Sequence, residues 1–380
     1  MTAAPAPSGR RDRPPFRADH VGSLLRPPRL LRARADAAAG AITPAALREI
    51  EDEEILAAVA MQREVGLESA TDGELRRGSW HMDFICQLGG VQQAEGEMRV
   101  SFRNADGTVD FRPAAIAINE RITLPRTIFA EDFAFLARAV DPAITPKLTI
   151  PSPNMVHYRG GRAALSPAVY PDIDAFWEDL AAAYRRQVAG LAELGCRYLQ
   201  LDDTSLAYLN DPSHREALAR RGDDATRLLD TYVENINRAL AGRPPQMAVT
   251  VHMCRGNFRS SWVAEGGYDY VAERLFTSLD VDGFFLEFDD ERSGGFEPLR
   301  FVPPGRLVVL GLVTTKRGEL ERRDELLARI EQAARVLDIS QLCLSPQCGF
   351  ASTVEGNELT ADQQRAKLAL VVQTAAEVWG

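Results

Sequence analysis

The sequence predicts an α/β fold, a (β/α)8 TIM barrel with a β-hairpin insertion after the second strand. Three observations carry this. Short apolar, β-branched runs recur eight times along 380 residues, amphipathic stretches separate most of them, and polar side chains collect at the C-terminal end of nearly every run. A doubly wound open sheet is the competing arrangement of the same alternation.

The eight runs are Arg17–Ser23, Leu67–Gly73, Lys147–Pro151, Arg197–Asp202, Met247–Met253, Gly283–Phe288, Leu307–Val313 and Leu342–Pro346. Several are apolar almost without interruption, as in Met247-Ala-Val-Thr-Val, which is how strands covered on both faces read. Helical spacing of apolar residues at three and four occupies Pro44–Val65, Asp172–Leu194, His214–Ala241, Tyr268–Leu279, Gly318–Leu337 and Ala361–Trp379. Thr360 with Asp362 offers a capped start to the last of these. One segment, about 96–124, breaks the alternation. Met98-Arg-Val-Ser-Phe and Thr108-Val-Asp-Phe flank Asn104-Ala-Asp-Gly, so an alternating pattern surrounds an Asp-Gly turn, the signature of a hairpin. It is expected to cover the site or a subunit interface. Residues 1–15, rich in Ala, Pro and Arg, are expected to be a disordered lead-in to one catalytic domain over 16–380.

A net charge of −10 argues against nucleic acid or an anionic membrane surface as partner. No apolar run approaches the ~20 residues of a membrane span, and the N-terminus lacks the apolar core of a secretory signal. Five cysteines at irregular spacing make no disulfide framework, so a reducing cytoplasm is expected. A homo-oligomer is left open.

In a barrel, reactive groups gather where strands end. Here those ends carry His20-Val-Gly-Ser23, Thr71-Asp-Gly-Glu74, Asp202-Asp203, His252-Met-Cys254, Glu287, Thr314-Thr-Lys316 and Gln347-Cys348-Gly. His252 and Cys254, two apart on a strand, point to one side, and imidazole beside thiolate suits zinc. Cys348 at another strand end can supply a third ligand. Three ligands from separate strands describe an open catalytic site, whereas structural zinc is usually held by close CxxC pairs, which are absent. Two thiolates already neutralise Zn2+, and a carboxylate such as Glu287 makes the centre electron-rich. Such a metal polarises a carbonyl poorly but still acidifies a bound thiol, so the ligand set favours thiol alkylation over hydrolysis.

Bland readings stand beside these. Cys86, Cys196 and Cys343 read as core fillers, and His157 and His214 as surface residues. Asp202-Asp203 reads equally as a helix cap, and Glu74 as an ion-pair partner of Arg76 or Arg77.

At these residues the sequence resembles a known family. Val251-His-Met-Cys254, Phe285-Leu-Glu287 and Ser345-Pro-Gln-Cys-Gly349 look like the metal motifs of the catalytic domain of cobalamin-independent methionine synthase. Leu199-Gln-Leu-Asp202-Asp203, His20-Val-Gly-Ser23 and Asp72-Gly-Glu74 fit its other strand ends. Phe16 to Pro27 and Thr71 to Arg77 look still more like its short, single-domain bacterial relatives. The resemblance spans roughly residues 16–380. It implies the barrel group shared with uroporphyrinogen decarboxylase, and zinc held by His252, Cys254, Glu287 and Cys348. It also implies a homocysteine site in which Glu74 and Asp202 hold the ammonium, Gly22 and Ser23 receive the carboxylate, and His20 lies nearby. The thiol would be activated by zinc and take a methyl group from methyltetrahydrofolate or another donor, giving methionine.

Two departures bear on the donor. Thr204 stands where the synthase has proline, and Lys316 falls where it places a proton-moving histidine. The N-terminal half that helps hold the folate tail in the full-length synthase is also expected to be missing. The alternatives are alkylation of another thiol, as in epoxide–coenzyme M transferases, a zinc hydrolase, or a ligand-binding barrel without catalysis. Coenzyme M has no ammonium for Glu74 and Asp202, and a thiolate-rich set activates water poorly.

Overall fold

Seven parallel strands form one curled sheet in the computed structural model, which describes residues 9, 11–94, 100–104, 107–111 and 115–380. In chain order the strands are β1 (Ser69–Ala70), β2 (Gly89–Ala94), β3 (Val100–Asn104), β4 (Gly107–Phe111), β5 (Ala115–Thr123), β6 (Thr145–Pro151), β7 (Tyr198–Asp203), β8 (Ala248–Met253), β9 (Gly283–Glu287), β10 (Leu307–Val313) and β11 (Leu342–Pro346). The parallel sheet runs β1-β6-β7-β8-β9-β10-β11, so its sequential strands are neighbours and their C-terminal ends lie along one rim.

The continuous apolar strands have two buried destinations. Leu199, Leu201, Val249, Val251, Phe284, Leu286, Val308 and Leu310 join the main core against the surrounding helices. Their alternate neighbours point the other way, where Val21, Phe285, Val309 and Cys343 form a small separate cluster. Lys147 is also fully buried there, its Nζ 3.2 Å from Asp19 Oδ1, and the Tyr198 hydroxyl donates to Asp19 Oδ2 at 2.7 Å. Each element thus contributes one face to the helix layer and one to the interior.

Two expected strands are shorter than their sequence patterns. Arg17–Ser23 makes a single bridge, Ala18 to Leu344 of β11. The cause is visible in its carbonyls, which accept from side chains. His20 O takes Lys147 Nζ (2.5 Å), Val21 O takes Gln200 Nε2 (2.6 Å) and Gly22 O takes Thr71 Oγ1 (2.6 Å). Leu67–Gly73 narrows to β1 because both backbone groups of Thr71 bond the Gln62 amide, each at 2.9 Å.

Most of the expected helices are present, Ala361–Trp379 with the expected bounds and Pro44–Glu64, Ile173–Glu193, Ala272–Ser278 and Arg323–Ala334 with adjusted ends. The stretch His214–Ala241 is instead two helices, Pro212–Arg220 and Ala225–Leu240, parted at Gly222 with φ +90°. Helices Pro28–Ala38 and Ala130–Ala139 are additional to those expected from the sequence. No helix among the described residues is long and apolar enough to cross a membrane.

Between β1 and β6 lie two antiparallel ladders, β2 with β5 and β3 with β4, the latter pairing Asn104 with Gly107. The Asp-Gly turn falls partly on residues 105–106, outside the described residues, as do 95–99 and 112–114. Arg103 exchanges backbone hydrogen bonds with Trp262 (2.7 and 2.9 Å), which brings this segment against the loop after β8. Of the expected lead-in, residues 1–8 and 10 lie outside the described residues, while Pro14 and Pro15 are buried.

Candidate metal centre

His252 and Cys254 follow from the period of β8, with His252 level with Asp202 on one side and Phe285 on the other. Glu287 ends β9, and Cys348 lies just beyond β11. These four buried side chains bring one imidazole nitrogen, two sulfurs and one carboxylate oxygen within 4.8 Å of one another. The two sulfurs are 3.5 Å apart, and the Gly256 N–H donates to Cys254 Sγ at 3.3 Å. Glu287 is held by donors on one oxygen only. Its Oε1 accepts the Arg255 N–H at 2.8 Å, while Oε2 has no hydrogen-bond partner among the described residues. Neither ring nitrogen of His252 has a hydrogen bond of ordinary geometry there, although the Cys348 sulfur lies beside it.

The electrostatics follow from burial. Desolvation pushes the Glu287 carboxyl up to about 7, Lys316 opposing this while Cys348 and Asp289 add to it. The paired thiols split. The hydrogen bond from Cys254 holds Cys348 well below the ordinary thiol value, and the same contact, with burial, pushes Cys254 well above it. Burial works against charging His252, but Cys348, Asp202 and Glu287 outweigh it and raise its pKa. Buried donors left without partners are costly. Two sulfurs, one nitrogen and one oxygen are a borderline-soft set that suits zinc, so the residues fit such an ion.

A cleft of about 220 Å3 opens over this cluster and is lined by His252, Cys254 and Cys348 together with Ser23, Glu74 and Asp202. Glu74 has a left-handed backbone, φ 57°, steadied by its N–H donating to Asp72 Oδ1 at 2.8 Å. Its Oε1 accepts from Thr149 Oγ1 (2.7 Å) and lies 3.5 Å from Arg77, while Oε2 is buried and unpartnered among the described residues. The ion-pair reading of Glu74 therefore holds for Arg77, but for one oxygen only. Asp202 accepts from Gln200 Nε2 at 2.7 Å. Burial pushes it up to about 7, with His252 opposing and Glu74 adding.

Asp203, one residue on, faces the other way. It accepts from Ser205 Oγ (2.8 Å), the Leu206 N–H (2.7 Å) and Ser152 Oγ, so the capping reading fits this member of the pair. Gly22 lies beneath Glu74 with φ +139°, and a Cβ there would come within 2.6 Å of Thr149 Cγ2.

Two expected residues are placed elsewhere. The His20 ring is buried outside the cleft lining, where desolvation lowers it to about 4. Lys316 also lies outside the lining. Its Nζ is 3.9 Å from Glu287 Oε2 and 3.7 Å from Asp289 Oδ2. The bland readings need two corrections. His157 is buried rather than superficial, its Nδ1 3.1 Å from the Tyr232 hydroxyl, because the loop after β6 folds under the helix layer. Cys86 is only half-buried, unlike the fully buried Cys196 and Cys343. The sequence reading missed Trp80, His81, Phe102, Arg159, Tyr208, Asn257 and Phe258 in the cleft wall.

Fold and site together define an α/β enzyme with a thiol-rich candidate metal centre where its parallel strands end. Residues 16–377 match the family model described as "Cobalamin-independent synthase, Catalytic domain". The chain is similar to the uncharacterized protein YxjG of Bacillus subtilis, 47% identical across 100% of this chain and 98% of that protein. It is also similar to a crystal structure of a putative vitamin-B12 independent methionine synthase from Listeria monocytogenes, 38% identical with a TM-score of 0.77, covering 97% of this chain and 100% of that one. A 5-methyltetrahydropteroyltriglutamate–homocysteine methyltransferase of Listeria innocua is 22% identical over 96% of this chain but only 44% of its own length. The chain belongs to the cobalamin-independent methionine synthase family, and its class of activity is methyl transfer.

Proposed function

We propose that the chain is a zinc-dependent S-methyltransferase that converts homocysteine to methionine in the cytoplasm, with methyltetrahydrofolate or another methyl donor. The observation that carries this reading is a single cleft in which Glu74 and Asp202 face three of four clustered metal-capable side chains. His252, Cys254, Glu287 and Cys348 hold the ion. When bound, zinc supplies acidification of a thiol, keeping it deprotonated and nucleophilic near neutral pH.

The residues around it do the rest. Glu74 and Asp202 receive the ammonium of the amino acid, and that cation favours the charged form of both carboxylates. Ser23 Oγ, at the edge of the cleft beside Gly22, offers a donor to its carboxylate. Lys316 acts through Glu287, holding a buried carboxylate charged, and so is a positioning residue. The 17–23 segment closes the sheet into an eight-part barrel, with its interior side chains replacing a full ladder. The inserted hairpin covers the mouth, which the Arg103–Trp262 pairing supports. A sulfonated thiol such as coenzyme M would leave both acids unanswered.

The test is to incubate the zinc-loaded enzyme with homocysteine and a panel of methyl donors, scoring methionine. Cys348→Ser should lose most of the bound zinc and more than ~99% of activity. Full zinc retention would sink the ligand assignment. Alkylation of another thiol but never of homocysteine would sink the acceptor.

A further inference from the structure

Glu287 and Asp289 stand two apart where β9 ends. The ladder carries past the strand's last residue, since the Phe288 N–H donates to Gly311 O at 2.9 Å, and Phe288 itself turns into the main core. Its two acidic neighbours therefore point the opposite way, together. Lys316 follows β10, the strand that sets Gly311 level with Glu287. Its Nζ lies 3.9 Å from Glu287 Oε2 and 3.7 Å from Asp289 Oδ2.

Neither approach is a hydrogen bond. Yet water scarcely reaches the three side chains, which are 1%, 2% and 9% exposed for Glu287, Asp289 and Lys316. Lys316 Nζ, Glu287 Oε2 and Asp289 Oδ1 are all buried without a hydrogen-bond partner among the described residues. A charge-assisted N–H···O contact closes to ~2.8 Å, so a shift of about 1 Å toward either acid would form one. The ammonium stands short of both because each pulls against the other. Burial works against its charge, and Asp289 first and Glu287 second outweigh that.

The consequence falls on Glu287. Its Oε1 is taken by the Arg255 N–H, so Oε2 is the oxygen it can offer a metal. Oε2 is also the atom that Lys316 approaches, and a lysine closed onto it would compete with the ion. We propose that Asp289 is a positioning residue, drawing Lys316 to its own side so that Glu287 Oε2 stays available as the metal's oxygen ligand. This rests on the metal assignment in the methyl-transfer reading and adds a residue that lies outside the cleft lining. Lys316 is then near enough to favour the carboxylate form of Glu287 and too far away to claim it.

A double-mutant cycle on zinc affinity, measured by competition with a chromogenic chelator, tests this. Asp289→Asn should weaken zinc at least about tenfold, and Asp289→Glu, which keeps the charge, should stay within about threefold of the unaltered chain. Lys316→Met should tighten zinc at least about tenfold more in the Asp289→Asn chain than in the unaltered one. Charges removed from fixed positions act by the same factor in either background, so the excess reads capture of Glu287 by Lys316. Equal factors in the two backgrounds overturn the proposal, as does unchanged affinity in Asp289→Asn. A loss that Lys316→Met does not recover makes Asp289 merely structural and overturns it too. Asp289→Ser completes the same cycle where the asparagine chain does not fold. Failure of the unaltered enzyme to bind zinc is a separate result, and it strikes the methyl-transfer reading itself.

Discussion

Asp202 and Asp203 are chemically alike and adjacent, yet the two-residue period of β7 sends one to the cleft and the other to the start of the next helix. Their variants should part accordingly. Asp203→Ala strands the Leu206 N–H and the hydroxyls of Ser152 and Ser205, and should cost about 3 kcal/mol in urea unfolding. Asp202→Asn should leave stability within about 1 kcal/mol but weaken homocysteine binding at least about tenfold by titration calorimetry. Equal destabilisation by both variants would contradict this division. A second residue-scale consequence is acid sensitivity. Burial lowers His157 to about 4, below its unfolded value of 6.5, so the unfolded chain takes up the proton first as pH falls. Its contribution is complete above pH ~6.5 and declines toward pH 4, reaching a loss of roughly 2 kcal/mol by pH 5. His157→Gln should flatten that part of the stability profile between pH 7 and pH 5. A profile unchanged by the substitution would mean that the imidazole is already charged in the folded protein.

At the scale of elements, Thr360 accepts the Gln363 N–H at 3.2 Å, while Gln363 Oε1 accepts the Thr360 N–H at 2.8 Å, closing a capping box on the helix Ala361–Trp379. Thr360→Ala should cost about 1 kcal/mol in urea unfolding, and Thr360→Ser almost nothing. This start was legible from residue types alone, and so were β10 and β11, whose ends match the apolar runs Leu307–Val313 and Leu342–Pro346. Strands buried on both faces leave a continuous apolar mark. Arg17–Ser23 left no comparable rule to read, because its carbonyls are satisfied by Lys147, Gln200 and Thr71, which lie far away in the chain. The same contrast governs the cleft. His252 and Cys254 stand two apart on a strand, so their common side could be read from spacing. His81 and Arg159 sit in loops, where no period relates side-chain direction to position, and only the folded chain brings them to one wall.

For the whole molecule, the question is whether the metal is needed for the fold or only for the chemistry. The main core lies between the sheet and its helices, and the interior beneath the cleft is filled by Phe285, Val309, Cys343 and the Lys147–Asp19 pair, none of them metal-capable ligands of the cluster. The sheet therefore has its stabilising contacts without an ion, unlike small domains that fold only around zinc. Metal still binds the folded state selectively, since the four ligands come from β8, β9 and the turn after β11 and are together only when those strands are paired. At free zinc about a hundredfold above Kd this linkage is worth roughly 2.7 kcal/mol, a few degrees in Tm for a chain of this size. Chelation should thus lower the thermal midpoint by a few degrees, leave the far-ultraviolet circular dichroism at 25 °C unchanged, and abolish methyl transfer until zinc is restored. Loss of the helical signal on chelation would make the ion structural. An unchanged midpoint at saturating zinc would mean that the four side chains hold no metal in the folded protein.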